Sequence, residues 1–254
     1  MLQALFNYVF GYDKNKTVLS LHERMESNVS DWNKMRSNSK CFVVSLKSKT
    51  LLKYLKNDTG DFAKKNEELG SNNIILKKVC KTLYDKYDPI MIYCFNNEIN
   101  LAFINDGNAL YNGNISKLVC KIASHASVLY SKELHNRVDI TFNGIFVEFS
   151  KYCELLNYLI WRQFDCRRNT VTLLYKCFIN NARIDNTGVH DMERCFELPD
   201  DLLYGIIMKK CMVIYKKGVD NRILFRNRIV AEHFYLAHDF DKILDKYVTS
   251  KFLV

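Results

Sequence analysis

Between Lys209 and Arg228 the chain sets seven basic side chains, Lys209, Lys210, Lys216, Lys217, Arg222, Arg226 and Arg228, against one acid, Asp220. Tyr215 and Phe225 are interleaved with them. Cations at that density can follow a phosphate backbone by releasing its counterions, and an adjacent ring can stack on a base. The bland alternative is a solvated hairpin. A second group, Trp161-Arg162-Gln163-Phe164-Asp165 with Arg168-Asn169 after it, collects a guanidinium, an amide and a carboxylate within about one helical turn. Such a set could touch a nucleotide, or it could brace a core through buried hydrogen bonds.

Elsewhere the chemistry thins. The six histidines, His22, His125, His135, His190, His233 and His238, show no metal-ligand spacing, and the last two are five apart, which does not put them on one helical face. They read as structural or exposed. The nine cysteines are an odd number with no Cys-x-x-Cys pair, so neither a disulfide framework nor a zinc ribbon is expected. Free thiols in a reducing compartment fit that usage.

The elements that must position these residues can be read from hydrophobic period. Val18 to Met25 is helical, with Leu21 and Met25 on one face. Cys41-Phe42-Val43-Val44-Ser45-Leu46 is a short, β-branched apolar run bounded by polar residues, which predicts a buried strand. Met91–Phe95 and Ile99–Ile104 predict two more strands, joined at Asn96-Asn97, because Asn tolerates positive φ in a tight turn. A helix over Ile74–Leu83 turns Leu76, Val79, Cys80 and Leu83 inward, and Ile115–Ala126 reads as a second helix. A strand over Thr141–Phe149 and a helix over Lys151–Ile179 complete the order β-α-β-β-α-β-α. That is an α+β class fold, a ferredoxin-like palm with an extra helix. Cys211–Tyr215 and Ile223–Phe225 are expected to form two strands of a basic β-hairpin, and Ile229–Tyr247 a last helix with an apolar face. The organisation expected is a palm over residues 1–200 and a hairpin plus C-terminal helix over 201–254, packed on the same domain.

Composition sets limits around that reading. The 254 residues are 48% hydrophobic and 26% charged, the balance of a chain with a real core rather than a disordered segment. No stretch approaches the roughly 20 apolar residues a membrane helix requires, and the start lacks a basic flank and a cleavage site, so an unprocessed cytoplasmic protein with no membrane partner is expected. Thirty-seven basic against 28 acidic side chains give a formal charge of +9, which favours polyanion partners. Nine glycines and two prolines, with many Lys, Asn, Ile and Tyr, suggest an AT-rich or viral genome.

Several segments carry a resemblance to one family. Tyr158-Leu159-Ile160-Trp161-Arg162-Gln163-Phe164-Asp165-Cys166-Arg167-Arg168-Asn169-Thr170 is similar to the corresponding run of the tRNA(His) guanylyltransferase family, in the form found in its bacterial, archaeal and viral branch. Leu19-x-x-x-x-Arg24-Met25 resembles that family's Leu-Gly-Asp-Arg-Met helix, and Pro199 and Gly205 resemble a later Pro…Gly element. Ser116-Lys117 stands where the family has a Ser-Lys helix that helps hold triphosphate. The resemblance implies a polymerase palm that uses magnesium and a nucleoside triphosphate (GTP or ATP) to add nucleotides at the tRNA 5′ end. It also implies an oligomer.

Departures from the family pattern fall at its metal positions. The family's first strand ends Arg-Leu-Asp-Gly-Arg/Lys and its hairpin carries Gln-Ser-Asp-Glu, whereas this chain reads Ser45-Leu46-Lys47-Ser48-Lys49 and Phe95-Asn96-Asn97-Glu98. Lys47 takes the place of one metal-binding Asp, and an ammonium about 4 Å from a divalent site repels the ion. Asn97 takes the place of the other, and lacks the charge that lets a hard cation shed water. Glu98 alone survives of the three acids. Leu52 stands for a family His, and Phe142-Asn143-Gly144-Ile145 for a Phe-Asp-x-Arg element. The expectation is therefore a degenerate member with no resident metal or cofactor, in which magnesium and GTP or ATP matter only if activity survives. Ser116, Lys117, Arg162 and Asn169 are its candidate nucleotide contacts, and the seven hairpin cations its candidate RNA contacts. tRNA is the expected partner, with a protein partner or a homo-oligomer as the alternative.

Overall fold

The computed structural model describes residues 20–29, 39, 41–56, 62–104, 114–135, 138–179, 198–217 and 223–232. In chain order these form α1 (Leu21–Val29), β1 (Cys41–Lys47), α2 (Lys49–Lys56), α3 (Phe62–Tyr87), β2 (Met91–Phe95), β3 (Glu98–Ile104), α4 (Ile115–Glu133), β4 (Asn143–Phe149), α5 (Tyr152–Ile179), α6 (Asp200–Leu203), β5 (Ile206–Lys217) and β6 (Ile223–Glu232).

One antiparallel sheet runs β4-β1-β3-β2-β5-β6. Its first four strands have the ferredoxin-like order, so the expected α+β palm is the fold observed. Both faces of the sheet are covered. Val44, Leu46, Ile92, Ile99 and Leu101 pack under α3 and α4, while Val43, Tyr93, Phe95 and Ala102 pack under α1 and α5. A strand buried on both sides reads as a continuous apolar run, which is why β1, β2 and β3 were visible in the sequence. The β2–β3 turn is tight because Asn96 adopts φ 44°.

Two glycines permit close approaches. Gly144 on β4 lies where an added Cβ would fall 2.5 Å from Val119 Cγ1, so its bare backbone lets α4 settle onto the sheet. Gly205, at φ 73°, turns the chain from α6 into β5 beside the Tyr93 ring. That turn is held from three sides. Gln163 Nε2 and Tyr93 OH both donate to the Tyr204 carbonyl at 2.9 Å, Thr170 Oγ1 donates to the Leu202 carbonyl at 2.9 Å, and Asn73 Nδ2 donates to the Asp201 carbonyl at 3.0 Å.

The structure departs from the sequence reading in several places: α4 runs on past Ala126 to Glu133, and β5 starts at Ile206, ahead of Cys211, where it pairs with β2. Helix α3 starts at Phe62, not near Ile74, because its first half turns polar groups inward. Lys65 is buried and donates to the Leu55 carbonyl at 2.8 Å, and Asn72 donates to the Asn96 carbonyl at 2.8 Å while accepting from Tyr130 OH. Helices α2 and α6 were not foreseen. Ile229–Glu232 is strand and not the start of a helix: β6 pairs with β5 over Lys210↔Ile229 to Ile207↔Glu232, so cross-strand hydrogen bonds override the helical pattern. The rest of the expected C-terminal helix, after residue 232, lies outside the described residues, as does Arg222.

Candidate functional site

Strand register brings the residues singled out at the strand ends into contact. Lys47, at the end of β1, stands opposite Glu98 on β3 and opposite Asn143 on β4. Ser48 next to it fixes this corner, since its N–H donates to the Asn97 carbonyl at 3.0 Å and its Oγ caps α2 by accepting from Leu51 N at 3.0 Å. Asn97 returns the link, donating from Nδ2 to the Ser48 carbonyl at 2.9 Å.

Glu98 is buried, and both of its oxygens are engaged. Arg162 grips it in a bidentate pair, Nε to Oε1 at 2.6 Å and Nη2 to Oε2 at 2.7 Å. Asn100 Nδ2 donates to Oε1 at 2.9 Å, and Lys47 Nζ lies 3.1 Å from Oε2. Asn100 is held in turn by Tyr158, whose hydroxyl donates to Asn100 Oδ1 at 3.1 Å. Burial pushes the Glu98 carboxyl up, but Arg162 and then Lys47 outweigh it and hold the group below the usual carboxylate range.

The charges continue outward as a chain. Arg162 also pairs with Asp165, and Asp165 with Arg168, whose side chain is 68% exposed. The sequence Lys47–Glu98–Arg162–Asp165–Arg168 alternates in sign from one exposed cation, Lys47 at 46%, to another. Trp161 stacks against the middle of it, with Arg162 4.7 Å over its ring and its own Nε1 donating to His22 Nδ1 at 3.1 Å.

A divalent cation of the magnesium type seeks several anionic or carbonyl oxygens with room for water. Here the one carboxylate at the strand ends is already neutralised by two cations and an amide, and the nearest approach is occupied by an ammonium. The donor set does not fit such an ion. Among the described residues no group of three His, Cys, Asp or Glu side chains could hold a metal.

Of the candidate nucleotide contacts, Arg162 belongs to this corner through Glu98, and Ser116 and Lys117 do not. Ser116 and Lys117 are exposed in the first turn of α4, where Asn114 caps the helix by accepting from Lys117 N at 2.9 Å. That helix packs on the opposite sheet face from Arg162. Arg162 is buried in its ion pairs and Asn169 is exposed on α5. Lys209 and Lys210 are half-buried on β5, and Lys216, Lys217, Arg226 and Arg228 belong to the β5–β6 ladder. Asn100 and Tyr158 were not anticipated. A polar residue within the apolar run Ile99–Ile104, and a Tyr one turn before Arg162, were the signals available.

The sequence model described as tRNAHis guanylyltransferase matches residues 23–172. An uncharacterized protein of Acanthamoeba polyphaga mimivirus is 30% identical over 148 residues, which are 46% of this chain and 50% of that protein. The chain thus spans about half the length of the curated relative it matches. Among solved structures, a bacterial tRNA(His) guanylyltransferase-like protein in complex with GTP superposes with a TM-score of 0.62 at 20% identity, covering 89% of this chain and 97% of that one. The corresponding complex with ATP gives 0.63 at 18%, covering 88% and 97%. The tRNA(His) guanylyltransferase of Saccharomyces cerevisiae gives 0.53 at 14%, covering 78% and 94%. These structural likenesses are of fold.

Proposed function

This chain belongs to the tRNAHis guanylyltransferase family, and from that premise we propose that it keeps the family's palm without nucleotidyl transfer and works as an RNA-binding protein, with tRNA its first candidate partner. The observation that carries this reading is the Glu98 carboxylate, clasped by Lys47 and Arg162 where metal-dependent transfer would need a free anionic ligand. A palm in this state can still position a bound molecule, because its sheet, its α5 brace and its charge pairs do not depend on an ion.

The RNA part of the reading draws on the net charge of +9 and on the basic β5–β6 hairpin. The pairing of β5 with β2 supports treating residues 201–254 as an extension of a palm over 1–200. Ser116, Lys117 and Asn169 keep exposed positions from which a nucleotide could be contacted singly. A protein partner or a second copy of the chain is compatible with the same surface. No helix among the described residues is long and apolar enough to cross a membrane.

The test is a titration of labelled tRNA with the purified protein across a salt series. Salt-sensitive binding that weakens in K216A/K217A/R222A supports the RNA role. Absence of binding at low salt contradicts it, and leaves a scaffold function within a protein assembly.

A further inference from the structure

Helices α3 and α4 lie antiparallel: Lys78 meets Glu133 at 2.8 Å toward one end of the pair, and Tyr87 OH donates to the Lys121 carbonyl at 3.3 Å toward the other. They cover the sheet face that Glu98 does not use. Alternation along β3 turns Ile99, Leu101 and Phe103 toward these helices, and Glu98 and Asn100 toward α5.

The solvent side of this helix pair is basic. Lys81 and Lys86 on α3, and Lys121 and Lys132 on α4, are exposed, and none of the four pairs with an acid among the described residues. Of the acids nearby, Glu133 is engaged by Lys78, while Asp85 is exposed on α3 four residues after Lys81, and Glu67 is exposed nearer the start of the same helix. Lys121, Val128 and Lys132 fall on one stripe of α4 at i, i+7 and i+11. His125 sits between the helices, 5.9 Å from the Tyr87 ring. Its pKa is depressed first by burial and then by Lys86 and Lys132, so ammonium groups from both helices act on one imidazole.

The basic hairpin joins this face. Lys210 N donates to Tyr84 OH at 3.2 Å, its ammonium lies 5.5 Å over the Tyr84 ring, and it pairs with Asp88 just past the end of α3. Lys81, three residues before Tyr84, is its neighbour on the helix surface. Segments that look unrelated in sequence therefore present one run of positive charge, from β5 across α3 to α4.

We infer that this run is a docking face for the phosphate backbone of double-stranded RNA. The inference rests on the RNA-binding reading above and specifies where and what kind of RNA is held. Lysine ammonium groups are point charges that neutralise phosphates without reading bases. A single strand would call for exposed rings on which splayed bases stack, but Tyr84 and Tyr87 are buried, and no exposed aromatic ring lies on this stretch of α3 or α4 among the described residues. A duplex asks only for cations at its phosphates, and Lys132, eleven positions after Lys121, lies about 16 Å further along a rigid helix. Ile74 and Val128 are single exposed apolar side chains, too few to anchor a membrane or an apolar partner. RNA on this face lies across the sheet from Glu98 and Arg162, so it is held without its end being offered to them.

The test compares a tRNA transcript, a short RNA duplex and a single-stranded oligonucleotide by fluorescence anisotropy between about 50 and 200 mM salt. For K81E/K86E/K121E/K132E, duplex and tRNA affinity should fall at least tenfold near the upper salt limit. The slope of log affinity against log salt should shrink by about one for each phosphate that is no longer neutralised. K81Q/K86Q/K121Q/K132Q should show a smaller loss in the same direction, and K53E/K56E on α2 should bind as wild type does. Far-ultraviolet circular dichroism and thermal unfolding verify that all variants fold. Wild-type affinity and slope in both quadruple variants, with binding lost in K209A/K210A, would overturn the helical face and leave the RNA reading standing. Preference of the wild type for the single strand would also overturn it. No binding of any RNA at low salt would end both.

Discussion

Lys47 and Glu98 are cross-strand neighbours whose charged groups stand 3.1 Å apart, at the ends of the two central strands of a palm. Glu98 also carries the bidentate Arg162, so a cation from β1 and a cation from α5 converge on one buried carboxylate. The Trp161-Arg162-Gln163 run is thereby a brace in this structure. Arg162 fixes the hairpin through Glu98, and Gln163 fixes the turn into β5 through the Tyr204 carbonyl.

Replacing Arg162 by Ala should cost about 3–5 kcal/mol, because a buried carboxylate would keep only a half-exposed lysine and an amide. Arg162→Lys should recover little of this, since one ammonium cannot reproduce the fork that meets both oxygens. Urea unfolding of the two variants measures both losses. A stability within about 1 kcal/mol of wild type for Arg162→Ala would show that the pair does not organise the core.

Acid should weaken the fold through Glu98. Its folded-state pKa lies below the usual value of 4.5, so the charged form is stabilised by folding. That contribution is complete above the unfolded-state pKa and disappears as pH falls from about 4.5 through the lower folded-state value. In Glu98→Gln this part of the acid limb should be missing. Urea midpoints taken from pH 6 down to about pH 3 would show two curves that converge as the pH drops. Parallel curves would contradict the assignment.

Gly144→Ala should destabilise by about 1–3 kcal/mol, because the new Cβ meets Val119 where packing leaves no room. Val119→Ala in the same chain should relieve part of that loss. A double-mutant cycle measures the coupling. Additive effects would mean that α4 shifts freely over β4.

The palm was legible in the sequence where burial is two-sided and local rules agree. The apolar runs of β1, β2 and β3, and the Asn96-Asn97 turn, gave three strands and the β2–β3 hairpin from period and turn chemistry. What was not legible depended on distant partners. Lys65, Asn72 and Asn73 are buried polar residues satisfied by carbonyls of α2, the β2–β3 turn and α6, so the first half of α3 shows no apolar stripe. Ile229–Glu232 has a helical pattern and becomes strand because β5 offers it a ladder.

The site divides in the same way. Lys47, Asn97 and Glu98 stood out by residue type at positions where the family carries acids. Their mutual arrangement did not, because it follows from the β1–β3 register and from the reach of Arg162 across from α5. The lysines of α3 and α4 were hidden for a related reason. They come together only when two helices, separated in sequence by the β2–β3 hairpin, lie side by side.

The most direct measurement of the central claim is a nucleotide-addition assay with magnesium, labelled GTP and tRNA, run on the wild type and on K47D/N97D. The account predicts no label at the tRNA 5′ end with the wild-type protein at any magnesium concentration. Magnesium-dependent incorporation by the wild type would show that a palm with Lys47 against Glu98 still transfers nucleotides, and would contradict it.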